Sequence, residues 1–206
     1  MSRHFFITAL LTAALLTSCG PKEIAMSGKN TVVSGKALIG GAYELTDHMG
    51  NVVTHETYLG KAQLLYFGYA YCPDVCPTAL QQMGASLEIA SDKDARIDGF
   101  YRSLFITIDP ERDTVEKLAL YVTANGFPKG LIGLTGTPDQ IQKVKKAYAV
   151  IGQKVSDSSN SAGYTFDHSS LIYLMDAKGE FVDIFTHADS PQKIATRLIA
   201  FRKTGR

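Results

Sequence analysis

The stretch Gln63-Leu64-Leu65-Tyr66-Phe67-Gly68-Tyr69-Ala70-Tyr71-Cys72-Pro73-Asp74-Val75-Cys76-Pro77 passes from a continuous apolar run into a short loop and then into a helix start. An apolar run of this length, bounded by turn residues, predicts a strand buried on both faces. After Pro77, Leu80, Met83, Leu87 and Ala90 recur at helical spacing, predicting a helix over Pro77–Ala90. The two cysteines therefore fall between a buried strand and a helix, at the sheet edge where ligand sites of α/β folds gather.

Other elements extend in both directions from this unit. Tyr43–Val53 holds Asp47-His48-Met49-Gly50-Asn51 between alternating segments, the pattern of a hairpin. Tyr101–Ile108 predicts a second buried strand, and Thr114–Ala124 a helix that stops near Gly126. Leu131–Leu134 suggests a short strand, and Pro138–Val150 a helix with proline in its first turn. Ser156–Gly163 is small and polar and reads as a loop. Ser170–Met175 and Phe181–Phe185 flank Asp176-Ala177-Lys178-Gly179 as a hairpin, and Ser190–Lys203 predicts a closing helix. Strands alternating with helices indicate an α/β fold of the thioredoxin-like type: a mixed central sheet flanked by helices, with an N-terminal hairpin. That architecture alone assigns no chemistry.

The 206 residues carry a formal charge of +1, with no basic run, so nothing points to a nucleic-acid partner. Residues 1–18 have a basic start at Arg3 and an apolar run from Phe5 to Leu16, the layout of a secretory signal peptide. Leu16-Thr17-Ser18-Cys19 resembles a bacterial lipobox, which implies cleavage before Cys19 and lipidation of its thiol. The expected order is a lipoprotein signal peptide at 1–18, a flexible tether at 19–35 and one domain at 36–206. The chain would then be exported and lipid-anchored to a bacterial membrane, its domain facing the periplasm or cell exterior.

With Cys19 lipidated, Cys72 and Cys76 are the remaining thiols. In an oxidising compartment such a pair forms a disulfide, exchanges disulfides or binds metal. Cys76 stands at the helix start, where unpaired N–H groups and the helix dipole favour a thiolate. If helical geometry reaches back to Cys72, the two Cβ atoms lie about 5–6 Å apart on one face. That separation serves either a reversible disulfide or one soft metal ion, and thiolates select Cu(I) over hard ions. Among the histidines, His4 falls in the signal, His48 in the hairpin turn, His55 before the second half of that hairpin region and His187 after the last strand. His168 ends a polar loop just before the strand Ser170–Met175, a place compatible with a third ligand or with a surface or capping role.

Three segments carry a family resemblance: Tyr71-Cys72-Pro73-Asp74-Val75-Cys76-Pro77-Thr78, Ile108-Asp109-Pro110-Glu111-Arg112-Asp113-Thr114 and His168-Ser169-Ser170. Together they resemble the signature segments of the Sco/SenC family, over about Gly40 to Ile199. The resemblance implies one copper ion per monomer on Cys72, Cys76 and His168, as Cu(I) with Cu(II) left open. It also implies a metallochaperone that assists assembly of the dinuclear copper centre of cytochrome c oxidase. The implied partners are the copper-site subunit of the oxidase and other copper chaperones or thiol reductants, with the membrane reached through the lipid anchor. Many relatives use a membrane-spanning helix instead of a lipid.

Asp109 and Pro110 read as a turn, Asp113 or Thr114 as the cap of the next helix, and Asp74 as a residue supporting or docking beside the cysteines. The competing function is a thiol-disulfide oxidoreductase acting through Cys72 and Cys76, which would need no histidine. Against it stand the CxxxC spacing, where thioredoxin-like redox enzymes use CxxC, and His168-Ser169 where those enzymes have a cis-proline.

Overall fold

The computed structural model describes residues 39–158 and 163–205. The segments expected to be a signal peptide (1–18) and a tether starting at Cys19 (19–35) lie outside the described residues.

At the centre is β3 (Ala62–Gly68), in which all seven residues are buried. Alternation explains how one strand can be buried throughout, with the polar Gln63 donating to the Tyr58 carbonyl. Tyr66 stacks on Phe105 on one face, while Phe67 meets Tyr148 and Tyr173 on the other. Around it lie β1 (Glu44–Asp47), β2 (Val52–Thr54), β4 (Tyr101–Thr107), β5 (Ile132–Thr135), β8 (Leu171–Met175) and β9 (Phe181–Thr186). These form one seven-stranded sheet in the order β2-β1-β5-β4-β3-β8-β9. β3 runs parallel to β4 and β4 to β5, whereas β8 pairs with β3 antiparallel and β1 with β5 antiparallel. The sheet is therefore mixed, with hairpins at both edges.

Four helices cover it: α1 (Val75–Lys93), α2 (Val115–Tyr121), α3 (Pro138–Ala147) and α4 (Pro191–Thr204). α1 packs against α4, burying Ala90 beside Ala195. The helix ends follow local chemistry. Thr114, Thr137 and Ser190 each accept a hydrogen bond from the N–H three residues on. Thr137 and Gln140 form a reciprocal capping box, and Gly205 closes α4 in the left-handed region. Among the described residues no helix is long and apolar enough to cross a membrane.

The structure departs from the sequence reading in three places. β6 (Gly152–Ser156) and β7 (Tyr164–His168) make a separate two-stranded antiparallel sheet that the periodicity does not announce. Their residues are exposed or half-buried, so no apolar face marks them. His168 consequently ends a strand, not a polar loop. Second, α1 begins at Val75, so Cys72 stands ahead of the helix instead of within it. Third, His55 lies beyond the first hairpin, opening a 3-10 turn at His55–Tyr58.

Candidate metal centre

Cys72, Cys76 and His168 offer one sulfur, one sulfur and one ring nitrogen, and these three atoms lie within 4.8 Å of one another. Each arrives on a different piece of structure. Cys72 sits in the loop between β3 and α1, Cys76 in the first turn of α1, and His168 at the end of β7. The register of β6 and β7 sets Gly152 opposite His168, and Ser169 N–H donates to the Ile151 carbonyl just beyond.

His168 points one nitrogen at the site for a definable reason. Its Nδ1 faces the Ser169 carbonyl at 3.2 Å, which makes Nδ1 the protonated nitrogen. Nε2 is left with its lone pair, 3.4 Å from the Cys76 sulfur. Tyr66 and Tyr69 set ring edges against the imidazole, with centroids at 6.3 and 5.9 Å. A hydrogen-bonded far nitrogen and packed ring faces are what hold a metal-ligating histidine in one orientation.

The two thiols are unequal, and the asymmetry reverses the sequence expectation. Cys76 is fully buried and faces inward under β3. Its thiol is pushed far above the usual thiol range, first by its contact with the Cys72 sulfur and then by burial. Cys72 goes the other way and is held well below that range. Its largest cause is the hydrogen bond from Cys76, with smaller support from the backbone N–H groups of Cys76 and Asp74. The Cys76 N–H donates to the Cys72 sulfur at 3.3 Å. The first-turn N–H groups of a helix point to what precedes it, so the dipole stabilises an anion at Cys72 and not at Cys76.

Gly68 makes room for the buried thiol. A Cβ there would stand 2.7 Å from the Cys76 sulfur and 2.8 Å from Tyr66 Cε1. Asp113 ties the same loop to the sheet: its Oδ2 accepts from Ala70 N–H at 2.9 Å and from the Thr107 hydroxyl at 2.6 Å. Burial pushes this carboxyl up to about 6. The helix cap expected at Asp113 or Thr114 falls to Thr114, and Asp113 turns inward. Asp109 does form the expected turn, accepting on its carbonyl from Arg112 and Asp113 N–H. Asp74 takes the N-cap position of α1 without capping it, accepts from the Thr78 hydroxyl at 3.4 Å, and borders the cavities flanking His168.

The sequence reading missed Gly68, Tyr66 and Tyr69. A glycine inside a run of large apolar residues was the available signal, since a strand interior gives up packing there only for a close approach. His48, His55 and His187 are not brought to the trio. His187 instead borders a cavity of about 540 Å³ beside it, with Val75, Ala79 and Leu171.

The donor set suits a soft ion. Metals of the size bound by such sites sit about 2.3 Å from sulfur and about 2.0 Å from imidazole nitrogen, so donors within 4.8 Å need only small adjustments to close on one ion. Two sulfurs and an imidazole select Cu(I) or zinc over oxygen-seeking cations.

A model of the family described as SCO1/SenC matches residues 31–202. The chain is 40% identical over 174 residues to "Protein SCO1 homolog, mitochondrial" of Mus musculus, covering 82% of this chain and 58% of that protein. It thus spans little more than half the length of that curated relative. Among solved structures, Bradyrhizobium japonicum ScoI with copper bound is 41% identical with a TM-score of 0.68, covering 79% of this chain and 99% of that one. Arabidopsis thaliana ScoI with copper bound is 32% identical with a TM-score of 0.73, covering 80% and 98%.

Proposed function

Because this chain belongs to the SCO1/SenC family, we propose that it is a copper metallochaperone whose Cys72, Cys76 and His168 hold one Cu(I) for delivery to the dinuclear copper centre of cytochrome c oxidase. The observation that carries this reading is the convergence of two sulfurs and a tautomer-fixed imidazole within 4.8 Å. Copper in two related structures supports the choice of ion. In this reading Cys72 supplies a thiolate at little cost, Cys76 loses its proton on binding, and His168 completes the set from the hairpin. The cargo leaves to the copper-site subunit of the oxidase, and other copper chaperones or thiol reductants supply the ion and keep the thiols reduced. Cys19 carries the lipid that keeps the domain at the membrane outside the cytoplasm.

The test is Cu(I) competition with a chelator on the reduced protein. C72S, C76S and H168A should each weaken binding by at least about 10–100-fold, the loss seen when only outer support of a metal is removed. Parent-like affinity in H168A would remove the histidine from the site.

The low proton affinity of Cys72 beside Cys76 favours a second reading, a thiol-disulfide oxidoreductase. The Cys72 thiolate would attack a partner disulfide, and Cys76 would then release the partner, giving two reduced partner thiols and one Cys72–Cys76 disulfide. H168A separates the readings: disulfide exchange would survive it, and tight copper binding would not.

A further inference from the structure

The β6–β7 hairpin brings His168 to the site but belongs to a sheet of its own, sharing no ladder with the seven strands that carry the cysteine loop. Its position must come from side chains and loop contacts. Lys154 on β6 pairs with Glu111 at 2.8 Å, but both are exposed and such a pair contributes little. Tyr69, just after β3, exchanges a hydrogen bond with the Thr165 hydroxyl at 2.7 Å.

Arg112 reaches further. Its side chain is 11% exposed. Nε donates to the carboxylate of Asp109, itself buried, and Nη1 donates to the Tyr164 carbonyl at 3.4 Å. The guanidinium carbon lies 3.9 Å from the Tyr164 ring centroid, 5.1 Å from that of Tyr71 and 5.6 Å from that of Tyr69. The Tyr164 hydroxyl returns to the Asp109 carboxylate at 3.1 Å. One cation therefore touches β7, the residue after β3 and the residue before Cys72. Its Nη2 is buried with no hydrogen-bond partner among the described residues, which costs stability. Three ring faces around a desolvated guanidinium supply the compensating attraction.

We infer that Arg112 is a positioning residue of the metal centre: it clamps the hairpin to the cysteine loop and so holds His168 at its distance from Cys76. The clamp needs the planar fork and faces of a guanidinium, not merely a positive charge. It rests on the proposed copper site for its purpose, though not for its existence.

The experiment compares R112M, R112K and Y164L with the parent in metal-free form. Hydrogen exchange should quicken about tenfold or more at β6–β7 amides in R112M and Y164L, and less in R112K, while β3–β4 amides keep their protection. The His168 ring-nitrogen resonances should shift in the same order. Loaded protein should release Cu(I) to a chelator about tenfold faster. Unchanged hairpin exchange and unchanged His168 signals in folded R112M and Y164L would overturn the inference. So would an equal loss of protection in β3–β4, which marks a general role in stability. Should R112M fail to fold, Y164L decides. A parent that binds no copper would sink the proposed function and leave the exchange result to judge the clamp.

Discussion

The backbone N–H of Cys76 donates to the sulfur of Cys72 across 3.3 Å, so the helix that begins between the two cysteines serves the one outside it. The pair is not two equivalent thiols but a thiolate resting on a helix end and a protonated thiol sealed beneath a strand.

Alkylation should therefore be selective. At pH 6, where an ordinary thiol is almost wholly protonated, iodoacetamide should label Cys72 and spare Cys76 in the folded, metal-free protein. Peptide mass spectrometry gives the ratio directly. In C72S the remaining thiol should react slowly until denaturant is added. Equal labelling of both would contradict the asymmetry.

Gly68 is a point at which the site and the core compete for the same space. G68A places a methyl against the Cys76 sulfur and the Tyr66 ring, both held by dense packing. The cost in stability should be about 1–3 kcal/mol, as for other overpacked cores. Copper affinity should fall as well, because the displaced sulfur is a proposed ligand. Urea titration and chelator competition on one sample check both; a parent-like result in each would show that the strand yields freely.

Asp113 makes an acid-side prediction. Its carboxyl is raised from the usual 3.8 to about 6 in the folded chain, chiefly by burial. The folded state then holds this proton more tightly than the unfolded one. The stabilisation it gives is full below about pH 4 and disappears as pH rises through 6, an effect of roughly 3 kcal/mol. D113N, neutral at every pH, should flatten the stability profile between pH 4 and 7. Denaturant midpoints across that range measure it, and parallel profiles for parent and variant would refute the assignment.

The proposed lipid anchor is tested on Cys19. The mature protein should start at an acylated Cys19 and sediment with membranes, and C19S should release it. Intact-mass spectrometry decides; a retained 1–18 segment would overturn the lipoprotein reading.

What could be read from the residues follows from what each element buries. β3 and β4 are covered on both faces, and their apolar runs made them legible. The helices were legible through Thr114, Pro138 and Ser190-Pro191, because caps and prolines act within one turn. β6 and β7 were not, since a half-exposed hairpin has no apolar alternation to show. The cysteines stood out by spacing, whereas the inequality between them depends on where α1 starts, a boundary that pattern reading places poorly. His168 was singled out by the family resemblance; its tautomer, set by the Ser169 carbonyl, exists only in three dimensions.

His168 stands 96 residues beyond Cys72 (168 − 72), with α1, β4, α2, β5, α3 and the hairpin in between. An ion held by both ends would act as a removable cross-link over that whole interval. Because the unfolded chain cannot bring the three donors together, binding adds to folding stability, by about 2.7 kcal/mol at one hundred times Kd. Cargo and fold would then be linked quantities: the loaded chain should resist heat and protease better than the empty one, and surrendering the ion should return it to the softer state.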